Sequence, residues 1–187
     1  MIGRKNIIFG FLYLVLTAAL GPYMVSEVIP DVGEAGATKQ QSMSELQLMA
    51  SSGFEQDLEP MDAAAIARSN TQALLDLNRM LQSEARLDEI KGGPHTHGNL
   101  ESVLNILAGL TLLFLTVPAW WKQAISWAFI LGALLHSGML YLGVIFGQGW
   151  ALQVLNTGVG PLLVLLGLLL AGVAAAVGLR PEPIRDD

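Results

Sequence analysis

Four long stretches of this chain are apolar and almost free of charge, and each is long enough to cross a bilayer. They run from about Ile7 to Ile29, Asn99 to Val117, Gln123 to Phe146 and Gln153 to Gly178. A transmembrane helix needs roughly 20 mostly apolar residues, because in lipid every backbone polar group must be paired within the segment. The chain therefore reads as an all-α integral membrane protein, a four-transmembrane-helix up-down bundle. The short connections 118–122 and 147–152 make the last three spans antiparallel neighbours. Composition agrees: 52% of the 187 residues are hydrophobic and 14% charged, with mean hydropathy +0.51. A net charge of −6 argues against a nucleic-acid partner. The absence of cysteine excludes disulfides, zinc–thiolate sites, iron–sulfur clusters and thiol catalysis.

The expected organisation is an N-terminal signal-anchor helix at 1–29, an acidic segment at 30–98, a three-helix membrane core at 99–179 and a tail at 180–187. The first helix has a competing reading, a cleaved signal peptide, because Arg4–Lys5 precede an apolar run. The apolar character continues to Ile29, which favours a retained anchor. Basic residues near the span ends set orientation. Arg4, Lys5, Lys122, Arg180 and Arg185 fall on one side, and residues 30–98 carry five basic residues against eleven acids. Both termini are thus expected in the cytoplasm of a bacterial inner membrane, with residues 30–98 outside. Trp120, Trp121 and Lys122 read as an inner-interface anchor.

The outer segment reads as mostly helical. Glu59-Pro60-Met61-Asp62 is a helix start, Ile66, Leu74, Leu77, Leu81 and Leu87 form one stripe, and Gly92-Gly93-Pro94 is a stop. Ser42–Ala50 is a second amphipathic stretch. Such stripes bury against each other, against the membrane surface or against a partner subunit. Small residues at Gly143 and Gly147, and at Gly160, Gly167, Ala171 and Ala175, allow close helix packing, within the bundle or between copies.

Polar and ionisable residues inside spans are costly, so they mark the functional question. His97, Glu101 and Asn105 recur every fourth residue and share one face of the second span. The third span carries His136, Ser137 and Tyr141. At 1.5 Å per residue from Gly147, His136 would lie roughly 16 Å deep, about 15 Å from the level of His97. That separation disfavours ligation of one iron by both. Two chemistries follow. His95, His97 and Glu101 form a two-histidine, one-carboxylate set for a divalent metal. Alternatively, His97 or His136 alone ligates haem iron. The plain structural readings are an interfacial pair at His95 and His97, a helix-dipole carboxylate at Glu101, and His136 as interhelical glue. A proton path is the least favoured reading, since the inner halves of spans two and three offer only Thr111, Thr116 and Gln123.

The segments His95-Thr96-His97-Gly98-Asn99, Gly132–Gly143 and Asn156–Gly178 resemble the styrene-oxide-isomerase type of small membrane protein. The resemblance covers roughly residues 94–179. It implies four membrane helices, a trimer, haem b held by one histidine, and Lewis-acid isomerisation of an aryl epoxide, a small hydrophobic substrate. By position it implies His97 as ligand, with Asn105 and Tyr141 as catalytic residues and His136 near the family's third-span acid. The contrasting expectation is a non-catalytic accessory or assembly subunit of a larger membrane complex, docking through residues 38–91.

Overall fold

The computed structural model describes residues 2–57 and 59–184; Arg185, assigned to the tail, lies outside them. The described chain is almost wholly helical. Its helices are α1 (Gly3–Ala18), α2 (Leu20–Tyr23), α3 (Ile29–Ser51), α4 (Ala63–Ile90), α5 (Thr96–Leu112), α6 (Ala119–Ala133), α7 (Gly149–Leu155) and α8 (Val159–Gly178). π-helical turns at Met24–Val28, Lys91–His95, Leu134–Gly138 and Tyr141–Ile145 link or extend them. A two-residue strand pair, Glu55–Gln56 with Glu59–Pro60, closes the turn between α3 and α4.

Three helices are long and apolar enough to cross a membrane: Gly3–Ser51, Ala119–Ile145 and Val159–Gly178. The span expected over 99–117 differs. Its helix has 17 residues and stops at Leu112. Residues 113–116 instead pair with the chain after α8: Thr116 N–H donates to Gly178 O (2.8 Å), and Arg180 N–H to Phe114 O (2.8 Å). The fourth expected span also starts later. Gln153 belongs to the separate helix α7, and Gly158, at φ +71°, turns the chain into α8. A left-handed φ costs glycine nothing, which is why the break falls there.

The chain divides into two compact units, 22–88 and 1–21 with 89–187. The first is an antiparallel pair, α3 with α4. Ala35 and Ala73 are buried in it, and Asp76 accepts from the Ser42 hydroxyl (2.5 Å) and Gln72 Nε2 (3.0 Å). Glu34 pairs with Arg79 at 3.0 Å. The expected helix over the stripe from Ile66 to Leu87 is present, and Ser42–Ala50 forms the end of a longer helix. Gly92-Gly93-Pro94 interrupts the helical course as expected: Gly93 has φ −84° and ψ −107°, and Pro94 lacks the N–H that a continuing helix needs.

The second unit is built on small residues. On α1 the buried residues are Gly3, Asn6, Gly10, Tyr13 and Thr17. These alternate in steps of three and four, the repeat of a left-handed helix pair. Gly98, Ser102, Asn105, Gly109 and Leu112 repeat the same rhythm on α5. A Cβ at Gly10 would lie 2.7 Å from Ser102 O, and one at Gly109 would lie 2.6 Å from Gly3 O. The two backbones therefore touch, and only glycine allows it. α8 packs on α6 in the same manner. A Cβ at Gly160 would sit 2.6 Å from His136 N, and Gly167 faces the Phe129 ring. Gly160 and Gly167, singled out as small residues in sequence, are thus used within the chain.

Candidate functional site

The α5–α6 contact sets the site. The two helices run antiparallel: Gly93 faces Leu140, and Asn105 Nδ2 donates to Phe129 O (3.2 Å). This register brings His97 opposite His136. Their ring centroids are 4.7 Å apart, tilted by 56°. The expected separation of about 15 Å is therefore wrong. It assumed that the helix of His97 and the helix ending near Gly147 begin at one level. In fact Lys91–His95 lies beside Tyr141–Ile145, so the start of α5, with His97, falls at the level of His136.

Glu101 lies directly beneath this pair and is 4% exposed. Its Oε1 accepts from His136 Nδ1 at 2.6 Å. Its Oε2 accepts from the Ser137 hydroxyl and, at 3.4 Å, from the Ser137 N–H. Consecutive residues of a regular helix point about 100° apart. Here the π-helical turn Leu134–Gly138 accompanies the convergence of both on one carboxylate; such turns recur at functional sites. Tyr13 on α1 completes the set, its hydroxyl 2.9 Å from Ser137 Oγ. Ser137 has one hydroxyl proton and gives it to Glu101, so Tyr13 donates to Ser137. Every contact to the carboxylate is thus a donor, as a carboxylate requires. With Nδ1 committed to Glu101, Nε2 is the nitrogen of His136 left to act elsewhere.

A groove of about 680 Å³ opens beside the two imidazoles. His97 and His136 form part of its wall, with Leu140, Val144, Leu152 and Leu155 giving an apolar lining. Glu89 stands at the same groove.

The other expected site residues are placed elsewhere. His95 Nδ1 donates to Thr17 O (3.1 Å), away from Glu101. Among the described residues no three histidine or acidic side chains gather as a metal site. The His95, His97, Glu101 set is not assembled, because Glu101 turns to His136 while His95 turns to α1. Asn105 is fully buried one turn below Glu101. It donates to Glu101 O (3.0 Å) and accepts from Asn6 Nδ2 (3.0 Å). Tyr141 packs on Phe146, ring centroids 5.8 Å apart.

Sequence reasoning missed three buried residues that make these contacts, Asn6, Tyr13 and Ser126, and named Ser137 without its partners. Asn6 donates to Ser126 O (3.1 Å) and accepts from the Ser126 hydroxyl. Tyr13 and Ser137 complete the carboxylate's surroundings. The seven-residue rhythm of Gly3, Asn6, Gly10, Tyr13 and Thr17 was the available signal. Lys122, expected at an interface with Trp120 and Trp121, is fully buried. The contact of α1 with α5 and α6 is therefore more polar than Thr111, Thr116 and Gln123 suggested. No protein family, curated protein or solved structure matches the chain.

Proposed function

We propose that the chain is a bacterial inner-membrane protein that binds haem b in the histidine groove and acts on a small hydrophobic substrate. The observation carrying this reading is the Glu101–His136 pair beside the groove wall. A carboxylate on Nδ1 fixes the ring and raises the basicity of Nε2, the usual second partner of a metal-bound imidazole. The hydrogen bonding thus favours His136 as the residue that would hold the iron, where the resemblance puts it on His97. His97 would stand beside it in the groove wall. The apolar walls suit the flat apolar face of the group. When bound, haem iron would supply a Lewis-acid centre. The chain's own part is to hold the imidazole, exclude water with Leu140, Val144 and Leu152, and receive an apolar substrate. The resemblance expects an acid near Ala133–His136; Glu101 brings a carboxylate to that level from the facing helix.

The basic residues support cytoplasmic termini. Lys5 Nζ donates to Gln123 Oε1 (2.6 Å), and Arg180 joins Phe114, so these ends gather at one end of the unit. Absorption spectra of the purified protein, expressed with haem supplied, test the reading. Wild type is expected to show a Soret band, lost in His136→Ala and altered in His97→Ala. No Soret band in wild type overturns it.

A second reading, an accessory or assembly subunit, rests on Leu48, Leu74, Leu75 and Leu81, which are exposed on the α3–α4 pair. Its occupant would be a partner subunit of a larger membrane complex. Leu74→Gln with Leu81→Gln would then abolish co-purification of the partner and leave any chromophore untouched. Equal recovery of the partner with both variants rejects this reading.

A further inference from the structure

The first helix reaches the site through hydroxyl groups. Tyr13 is buried on α1 and its hydroxyl lies 2.9 Å from Ser137 Oγ. Ser137 is fully buried, and its hydroxyl meets Glu101 Oε2 while its backbone N–H lies 3.4 Å from the same oxygen. The other carboxylate oxygen is held by His136 Nδ1 at 2.6 Å. Ser137 Oγ also lies 3.2 Å from Ala133 O. A lone serine could give its single proton to that carbonyl, as helical serines commonly do. The Tyr13 O–H occupies a lone pair of Ser137 Oγ and makes its proton a better donor, and the Glu101 carboxylate is a stronger acceptor for that proton than the Ala133 carbonyl.

We propose that Tyr13 and Ser137 are positioning residues that fix Glu101, and through it the proton on His136 Nδ1, so that Nε2 faces its ligand as a lone pair. This rests on the reading of His136 as the site's donor. It adds that α1 is part of the site as well as a membrane span. The direction of donation runs one way, Tyr13 to Ser137 to Glu101. His136 donates to the same carboxylate from the other side. No proton needs to be transferred for the chain to act; its effect is to make one tautomer of His136 dominant.

The test is histidine-selective ¹⁵N NMR on the full-length protein in detergent, without added haem. Two-bond proton–nitrogen couplings report which ring nitrogen of His136 carries the proton. A short Nδ1–H bond to a carboxylate also gives a far-downfield proton resonance. Wild type is expected to show the Nδ1–H tautomer and that resonance. Ser137→Ala is expected to move the resonance upfield and mix the tautomers, Tyr13→Phe to do so by a smaller amount, and Ser137→Thr to restore it. Far-ultraviolet circular dichroism identifies any variant that fails to fold, and Tyr13→Phe and Ser137→Thr change the packing least. If Tyr13→Phe and Ser137→Ala leave the signal unmoved while Glu101→Gln removes it, the proposal is overturned and the site reading stands. If Glu101→Gln leaves it unmoved as well, the Glu101–His136 pair itself fails. A wild-type Soret band judges haem binding separately from either result.

Discussion

Glu101 is the residue on which the site turns. Carboxylates inside apolar helices are costly, and this one is tolerated because three donors meet its two oxygens. Removing it leaves His136 and Ser137 facing an apolar gap. Glu101→Ala is expected to destabilise the protein by about 1–3 kcal/mol for each donor it orphans, read as a lower thermal midpoint in detergent. Glu101→Gln keeps the shape and is expected to cost less. A midpoint for Glu101→Ala equal to wild type would remove the carboxylate from any structural role. Asn6→Leu is the matching test one level below. It loses the bonds to Asn105 and Ser126 and leaves their polar groups buried, a cost of about 1–3 kcal/mol. At this scale legibility depended on charge. Glu101, His97 and His136 were readable because ionisable residues are rare in apolar runs. Asn6, Tyr13 and Ser126 were not, since uncharged polar residues barely disturb a hydropathy profile. Their partners also lie 99 to 124 residues away in sequence.

Among the elements, α1 and α6 carry most of the consequence. α1 reads in sequence as a plain apolar run, yet it presents a buried polar stripe to α5 and α6. Without α1, Asn105 loses its Asn6 partner and Ser137 loses its Tyr13 partner. Gly10→Leu is expected to force α1 from α5, because the new side chain would meet Ser102 O and Ile106. Overpacking of this sort costs about 1–3 kcal/mol, and a backbone contact places it toward the upper end. Gly160→Leu should act on the site as well as on stability, since it pushes against the backbone of His136. The measurement is the His136 resonance of the otherwise folded protein; an unshifted signal would detach α8 from the site. Helix existence was legible from composition and periodicity, including the stop at Gly92-Gly93-Pro94. Helix level was not. Counting residues from a loop gives depth only when both helices begin at the same height, and here Lys91–His95 lies beside Tyr141–Ile145, so the start of α5 is not level with Gly147.

The whole molecule offers a test that its composition makes easy. With no native cysteine, any single introduced cysteine reports its own side of the membrane. Ser69→Cys, in the acidic helical unit, is expected to react with an impermeant thiol reagent in intact cells. Arg180→Cys is expected to react only after permeabilisation. The reverse pattern would invert the orientation drawn from the basic residues. At this scale membrane character and helical class were readable from the apolar stretches alone. The grouping of residues 1–21 with 89–187 was not, because it depends on small residues meeting across a long intervening segment. Nothing in the hydropathy of either partner announces such a pairing.

The pairing of α1 with α5 also carries a consequence for synthesis. Asn6 and Asn105 are hydrogen-bonded across 99 residues of chain. At roughly 5–20 residues per second, the ribosome delivers the second about 5–20 s after the first. During that interval the first helix has none of its eventual partners on α5 and α6. Asn6 and Tyr13 must find other hydrogen-bond partners in their place. The segment that looks simplest in sequence is therefore the one that waits longest, unfinished, for the rest of the protein to arrive.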